Sequence, residues 1–164
     1  MRPPRAVVIT ISDSASKGER EDLSGPAVRE ELEKLGIPVV GAEVVADDLD
    51  QIRRALVRHS DELEIDLVVT TGGTGLAPRD VTPEATRAVM DKEVPGLAEL
   101  MRLKGIEATP RASLSRAVVG VRKRTLIVNL PGSVKGVRQN LAALASVLPH
   151  ALEVLSGKVV RCGG

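Results

Sequence analysis

Two rhythms of apolar positions alternate along this chain. Ala6–Ile11 is a continuous, largely β-branched apolar run that stops at Ser12-Asp13, which predicts a strand. Leu23-Ser24-Gly25-Pro26 reads as a helix start, with Ser24 as the cap and proline tolerated in the first turn. Val28, Leu32 and Leu35 then recur at i, i+4 and i+7, and Gly36 closes that helix. Val39–Val45 is a second strand ending at Asp47-Asp48, and Leu49, Ile52, Leu56 and Leu63 mark the apolar face of the next helix. Residues 65–71 form a third strand, apolar almost throughout, as a strand covered on both faces should be. Thr82-Pro83-Glu84 opens another helix, with threonine as cap, proline at the first helical position and the acid against the dipole. A less regular helical stretch is expected over 94–120, interrupted at Thr109-Pro110. Thr125–Leu130 is a further strand. Val134, Val137, Leu141, Leu144 and Leu148 then form a helical stripe that Ala151–Leu155 is expected to continue past a kink at Pro149.

Strands alternating with helices imply right-handed crossovers and an α/β fold with a mostly parallel sheet covered on both faces. The chain of 164 residues shows no repeat, low-complexity tract or linker, so 1–164 is expected to be a single domain. Phe, Tyr and Trp are absent, leaving Val, Leu, Ile, Ala and Met to fill the core. Any flat ring bound here must therefore rest on backbone, aliphatic side chains or Arg guanidinium planes.

The formal net charge is +1, so no global field gathers nucleic acid, and Arg122-Lys123-Arg124 reads as a solvated turn. No stretch approaches the ~20 apolar residues of a membrane span. The apolar run after Arg5 is too short for a signal peptide, which gives the expectation of a cytoplasmic protein. Cys162 is the one cysteine; it excludes an internal disulfide and reads as part of a frayed tail.

Ligands of an open parallel sheet sit beyond the carboxyl ends of the strands. That rule selects Ser12-Asp13, Asp47-Asp48, the loop Thr70-Thr71-Gly72-Gly73-Thr74-Gly75 and the loop Pro131-Gly132-Ser133. Three glycines in four positions let the backbone approach a ligand closely, and successive amides make an anion nest. The spacing is neither a Walker loop nor a dinucleotide fingerprint. Asp80 follows this loop and Asp47 ends another strand, so the two carboxylates suit Mg²⁺ beside bound phosphates. Each has a second reading as a helix cap: Asp80 for the helix at 82, Asp47 for the helix at 49, where spacing favours the cap. His59 falls on a helix stripe as a packing histidine, and His150 has no visible partner, so neither makes a Ser-His-Asp or metal site.

Four strings occur in diagnostic order: Ile11-Ser12-Asp13-Ser14, Leu23-Ser24-Gly25-Pro26, Thr70–Gly75 and Pro78-Arg79-Asp80-Val81-Thr82-Pro83-Glu84-Ala85-Thr86. With Ser115-Arg116 and Asn129-Leu130-Pro131-Gly132, they resemble the molybdopterin-binding family of molybdenum cofactor biosynthesis. The resemblance runs from about residue 5 to 156. It implies a three-layer αβα fold of the MogA/MoaB-like type and commonly a homotrimer. The implied reaction is adenylylation of molybdopterin by MgATP with release of pyrophosphate, the product passing to a separate molybdate-insertion enzyme. A non-catalytic molybdopterin-binding paralogue is the alternative.

Position by position, the resemblance makes Asp47 and Asp80 the functional acids and Gly72, Gly73, Thr74 and Gly75 the phosphate loop. It lines the same pocket with Ser12, Asp13, Pro131, Gly132 and Ser133. Ser133 departs from the Asn or Gln that several members carry. Ser115-Arg116 matches a family pattern without an assigned role.

Overall fold

A computed structural model describes residues 2–158, so Cys162 lies outside the described residues. Six strands form one sheet in the order β2-β1-β3-β6-β5-β4. β1 (Ala6–Ile11), β2 (Val39–Val45), β3 (Leu67–Thr71) and β6 (Thr125–Leu130) run parallel. β5 (Val119–Arg122) and the two-residue β4 (Lys92–Glu93) extend the sheet antiparallel. Every residue of β1, β3 and β6 is buried, which is why these segments are apolar without alternation.

Successive side chains of these strands leave on opposite faces. Val8, Val69 and Val128 pack with α2 (Ser24–Lys34), α5 (Pro95–Ala108), α6 (Val134–Leu144) and α7 (Leu148–Leu155). Val7, Val68 and Ile127 pack with α3 (Leu49–Val57) and α4 (Thr82–Val89). The fold is thus three-layered αβα about a mostly parallel sheet. Asn129 on β6 is fully buried; its amide donates to Thr70 and Thr86 hydroxyls at 3.0 Å, and its oxygen accepts from the Val118 N–H. A buried amide so satisfied ties β3, β6 and α4 together.

Several elements differ from their sequence expectation. The stretch 94–120 is not helical throughout: α5 ends at Ala108, a 3₁₀ turn covers Pro110–Leu114, and β5 begins at Val119. Pro110 disfavours helix at the preceding residue, and Thr109 is extended at φ −158°. Beyond α3 the chain widens into a π turn over Arg58–Glu62, which shifts the helical phase. His59 and Ser60 stay on the buried face, whereas Leu63, past the π turn, is exposed, as is Leu49 at the start of α3. His59 does pack, with Nε2 3.1 Å from Glu43.

Pro149 sits in the first turn of a separate α7 rather than at a kink in α6. His150 has a neighbour after all, Glu153 at 3.8 Å. Arg122 is no solvated residue, since its guanidinium pairs with Asp61 at 2.8 Å and donates to the Val89 carbonyl. Ser24 does not cap α2. The Asp22 carboxylate accepts from the Gly25 N–H instead, and Leu23 is the boundary residue. A one-turn α1 (Asp13–Ser16), capped by the Ser12 hydroxyl, follows β1 directly.

Candidate functional site

The carboxyl ends of β1, β2, β3 and β6 open onto a cleft of about 500 Å³. Ser12, Asp47, Gly72, Gly73, Asp80, Gly132 and Ser133 all line it. Asp13, Thr74, Gly75 and Pro131 stand just behind, bonded to lining residues or to the loop's supports. Convergence follows from topology: parallel strands deliver all four loops to one edge.

The glycine loop is tied down at its start and free along its middle. Gly72 donates its N–H to the Leu130 carbonyl, and Thr71 Oγ1 donates to the Pro131 carbonyl at 2.7 Å. Gly72 and Gly73 then adopt φ of +104° and +70°. A Cβ on Gly72 would strike the Ile11 carbonyl, and one on Gly73 the Thr82 hydroxyl, so only glycine fits both positions. Among the described residues, the Gly73, Thr74 and Gly75 amides find no acceptor inside the protein. Unpaired amides in succession are what an anion nest requires.

Thr82 does not cap α4 with its side chain; the hydroxyl donates to the Gly72 carbonyl at 2.9 Å and holds the loop. Ser133 caps α6, accepting from the Gly136 N–H at 3.0 Å.

Neither candidate acid serves as a helix cap. Asp48, not Asp47, caps α3 by accepting from the Gln51 N–H. Asp80 Oδ2 accepts from the Ala77 N–H, and α4 begins without a side-chain cap. Asp47 instead exchanges two bonds with Asp13: Asp13 N–H to Asp47 Oδ2 at 2.9 Å, and Asp47 N–H to Asp13 Oδ1 at 3.0 Å. Arg79 grips both Asp13 oxygens, at 2.6 and 2.9 Å.

This arrangement splits the two carboxyls. The Arg79 hydrogen bond holds Asp13 below the usual aspartate range. Burial pushes Asp47 up, and the charges of Asp13 and Asp80 push the same way. The carboxylates Glu21, Asp22, Asp47 and Asp80 outnumber Arg20, the one cationic residue of the lining. A polyanion entering here needs added positive charge, and Asp47 with Asp80 fits a divalent cation that completes its shell with phosphate and water. No cluster of three His, Cys, Asp or Glu able to cage a metal occurs among the described residues, so the donor set suits a cation arriving with its ligand.

Sequence reasoning missed Arg20, Glu21 and Asp22. Asp22 accepts from the Thr10 hydroxyl at 2.8 Å as well as from Gly25, which fixes the α2 start beside the cleft. Its signal was an aspartate three residues before a helical N–H. A larger hollow of about 680 Å³ lies at the amino ends of the strands, between Ile37, Ile65, Thr125 and Leu152. Within it Arg2 pairs with Asp66 and Lys123 with Asp61, and no residue of the glycine loop lines it.

Residues 7–150 match the family model described as probable molybdopterin binding domain. A molybdopterin adenylyltransferase of Helicobacter pylori is 46% identical over 156 residues, covering 94% of this chain and 89% of its own. The Escherichia coli protein of the same name is 37% identical over 98% of this chain and 90% of its own. The structure of a molybdopterin biosynthesis enzyme, MoaB of Thermus thermophilus, is 52% identical, with a TM-score of 0.90. It covers 96% of this chain and 99% of its own.

Proposed function

This chain belongs to the molybdopterin-binding domain family, and on that premise we propose that it adenylylates molybdopterin with MgATP and releases pyrophosphate. One observation carries the reading: the Asp47 and Asp80 carboxylates share a cleft with Gly73, whose amide, like those of Thr74 and Gly75, lacks an internal acceptor.

The nucleophile is an oxygen of the terminal phosphate of molybdopterin, already ionised at neutral pH. It bonds to the α-phosphorus of ATP while the bond from that phosphorus to the bridging oxygen of the β-phosphate breaks, and pyrophosphate leaves with that electron pair. No general base is needed, and no His or Cys is among the described residues of the lining. The barrier is the approach of two polyanions, so catalysis is positioning plus charge neutralisation. The loop amides of Gly73, Thr74 and Gly75 neutralise phosphate oxygens; Ser12 and Ser133 offer further hydroxyls. Asp47 and Asp80 would hold Mg²⁺, which when bound supplies compensating positive charge. Backbone, aliphatic and Arg surfaces hold the adenine and pterin rings.

The same resemblance supports a cytoplasmic homotrimer whose product passes to a separate molybdate- or tungstate-insertion enzyme. Light scattering of the purified chain should give three times the chain mass; a monomer would remove that part of the reading.

The reaction itself is tested by pyrophosphate release from MgATP, with and without molybdopterin. Release should require molybdopterin and vanish in Asp80→Asn at an unchanged melting temperature, because an asparagine oxygen can still accept from Ala77. Molybdopterin binding without release would make the chain a pterin-binding paralogue that transfers nothing.

A further inference from the structure

We infer that Arg116 is the positioning residue of this site: it sets the main chain on which Gly75 and Asp80 stand, without touching substrate. The inference rests on the adenylyl-transfer reading of Asp80 and the glycine loop. Between Gly73 and Thr82 the chain makes an excursion whose tip, Leu76 to Arg79, is exposed. Its own bonds are few. Ala77 and Asp80 bond to each other, and the Thr82 N–H returns to the Gly73 carbonyl. An excursion so sparsely bonded does not hold a carboxylate within the fraction of an ångström that phosphoryl transfer demands.

The Arg79 side chain ties the tip to Asp13, and Arg116, from the 3₁₀–β5 connection, adds the restraint that acts on the main chain itself. Its backbone N–H donates to the Thr74 carbonyl at 2.9 Å. Nε donates to the Gly75 carbonyl at 2.8 Å, and a terminal nitrogen donates to the Asp80 carbonyl at 2.7 Å. The other terminal nitrogen meets both Glu84 oxygens at 2.9 Å, in the first turn of α4. One planar fork thus reaches the loop's last glycine, Asp80 and α4.

Arg116 is itself braced, because Arg102 on α5 donates to the Ser115 and Ala117 carbonyls on either side of it. Lysine cannot reproduce this, since a single ammonium does not reach three divergent acceptors in one plane.

The test compares Arg116→Ala, Arg116→Lys and Glu84→Gln with the parent chain. Pyrophosphate release in Arg116→Ala should show kcat lowered about 100-fold, with KM for MgATP within about threefold. Guanidinium chloride at tens of millimolar should restore about a tenth or more of the lost rate to the alanine variant. Arg116→Lys should stay impaired, and Glu84→Gln, which leaves the carbonyl bonds intact, should keep nearly full rate. Amide exchange in the unliganded alanine variant should quicken at Ala77, Asp80 and Thr82, the hydrogen-bonded amides of the excursion, and not in β1 or β6.

A kcat within about threefold of the parent overturns the inference. So does a loss that guanidinium leaves in place while exchange quickens across the whole chain, the mark of a general folding role. If the parent chain releases no pyrophosphate, the adenylyl-transfer reading falls by itself. Exchange at Ala77, Asp80 and Thr82 still decides the clamp, and unchanged exchange there overturns it.

Discussion

At the scale of single residues, the site is built from polar groups whose ordinary partners have been reassigned. Asp47, Asp80 and Thr82 stand where helix caps are expected, yet none caps; each turns back to hold a loop. Caps and loop ties use the same atoms at the same sequence spacing, so only the path of the neighbouring strand distinguishes them. Asp47 shows the cost of such service, because burial makes its ionised form unfavourable in the folded chain. Its folded value is raised, so the native state binds more protons than the unfolded state between the two values, and stability falls as pH rises through that window. The favourable contribution is whole below the ordinary aspartate value of about 3.9 and gone above the raised one. Asp47→Asn should therefore melt higher than the parent at pH 7, lose that advantage near pH 3.5, and release no pyrophosphate. Calorimetry at the two pH values checks the sign.

At the scale of elements, β1, β3 and β6 were legible because each is buried on both faces and reads as an unbroken apolar run, whereas β2, at the sheet edge, is half-exposed and was legible from its valines and the aspartates that end it. β5 was not legible. Ala117-Val118-Val119-Gly120-Val121 is a β-branched run, but it closely follows the 3₁₀ turn over Pro110–Leu114, and its partner β6 lies across a turn with Lys123 at φ +53°. The π turn after α3 was equally hidden, since one extra residue in a turn leaves the composition unchanged while rotating Leu63 off the buried face that His59 keeps. Asp48, at the start of α3, has the extended backbone of a true N-cap, φ −127° and ψ 124°, and accepts from Gln51 at 2.9 Å. Asp48→Ala should cost about 1 kcal/mol in urea unfolding. Pyrophosphate release should stay near the parent rate, in contrast to substitution of the adjacent Asp47.

At the scale of the whole molecule, the parallel order β2-β1-β3-β6 gathers four loops from across the sequence at one edge of the sheet. The result is an acidic cleft lined by Gly73 with its unpaired amide, and no group of three His, Cys, Asp or Glu that could cage a metal occurs among the described residues. Chelation should accordingly stop pyrophosphate release while leaving the melting temperature unchanged, and added Mg²⁺ should restore it; a melting temperature that drops with chelation would reveal a structural metal. The sequence by itself determined the fold class, the buried strands, the four loops of the site and the glycine positions, because burial and positive φ select residue types directly. Tertiary structure alone decided which carboxylate caps and which faces the cleft. It also decided that Arg79 neutralises Asp13 and leaves Asp47 uncompensated, and that Arg116 grips a loop some 40 residues earlier in the chain. The physical reason is range: propensity and periodicity act between neighbours, whereas a hydrogen-bond partner is chosen among groups that only the folded chain brings together.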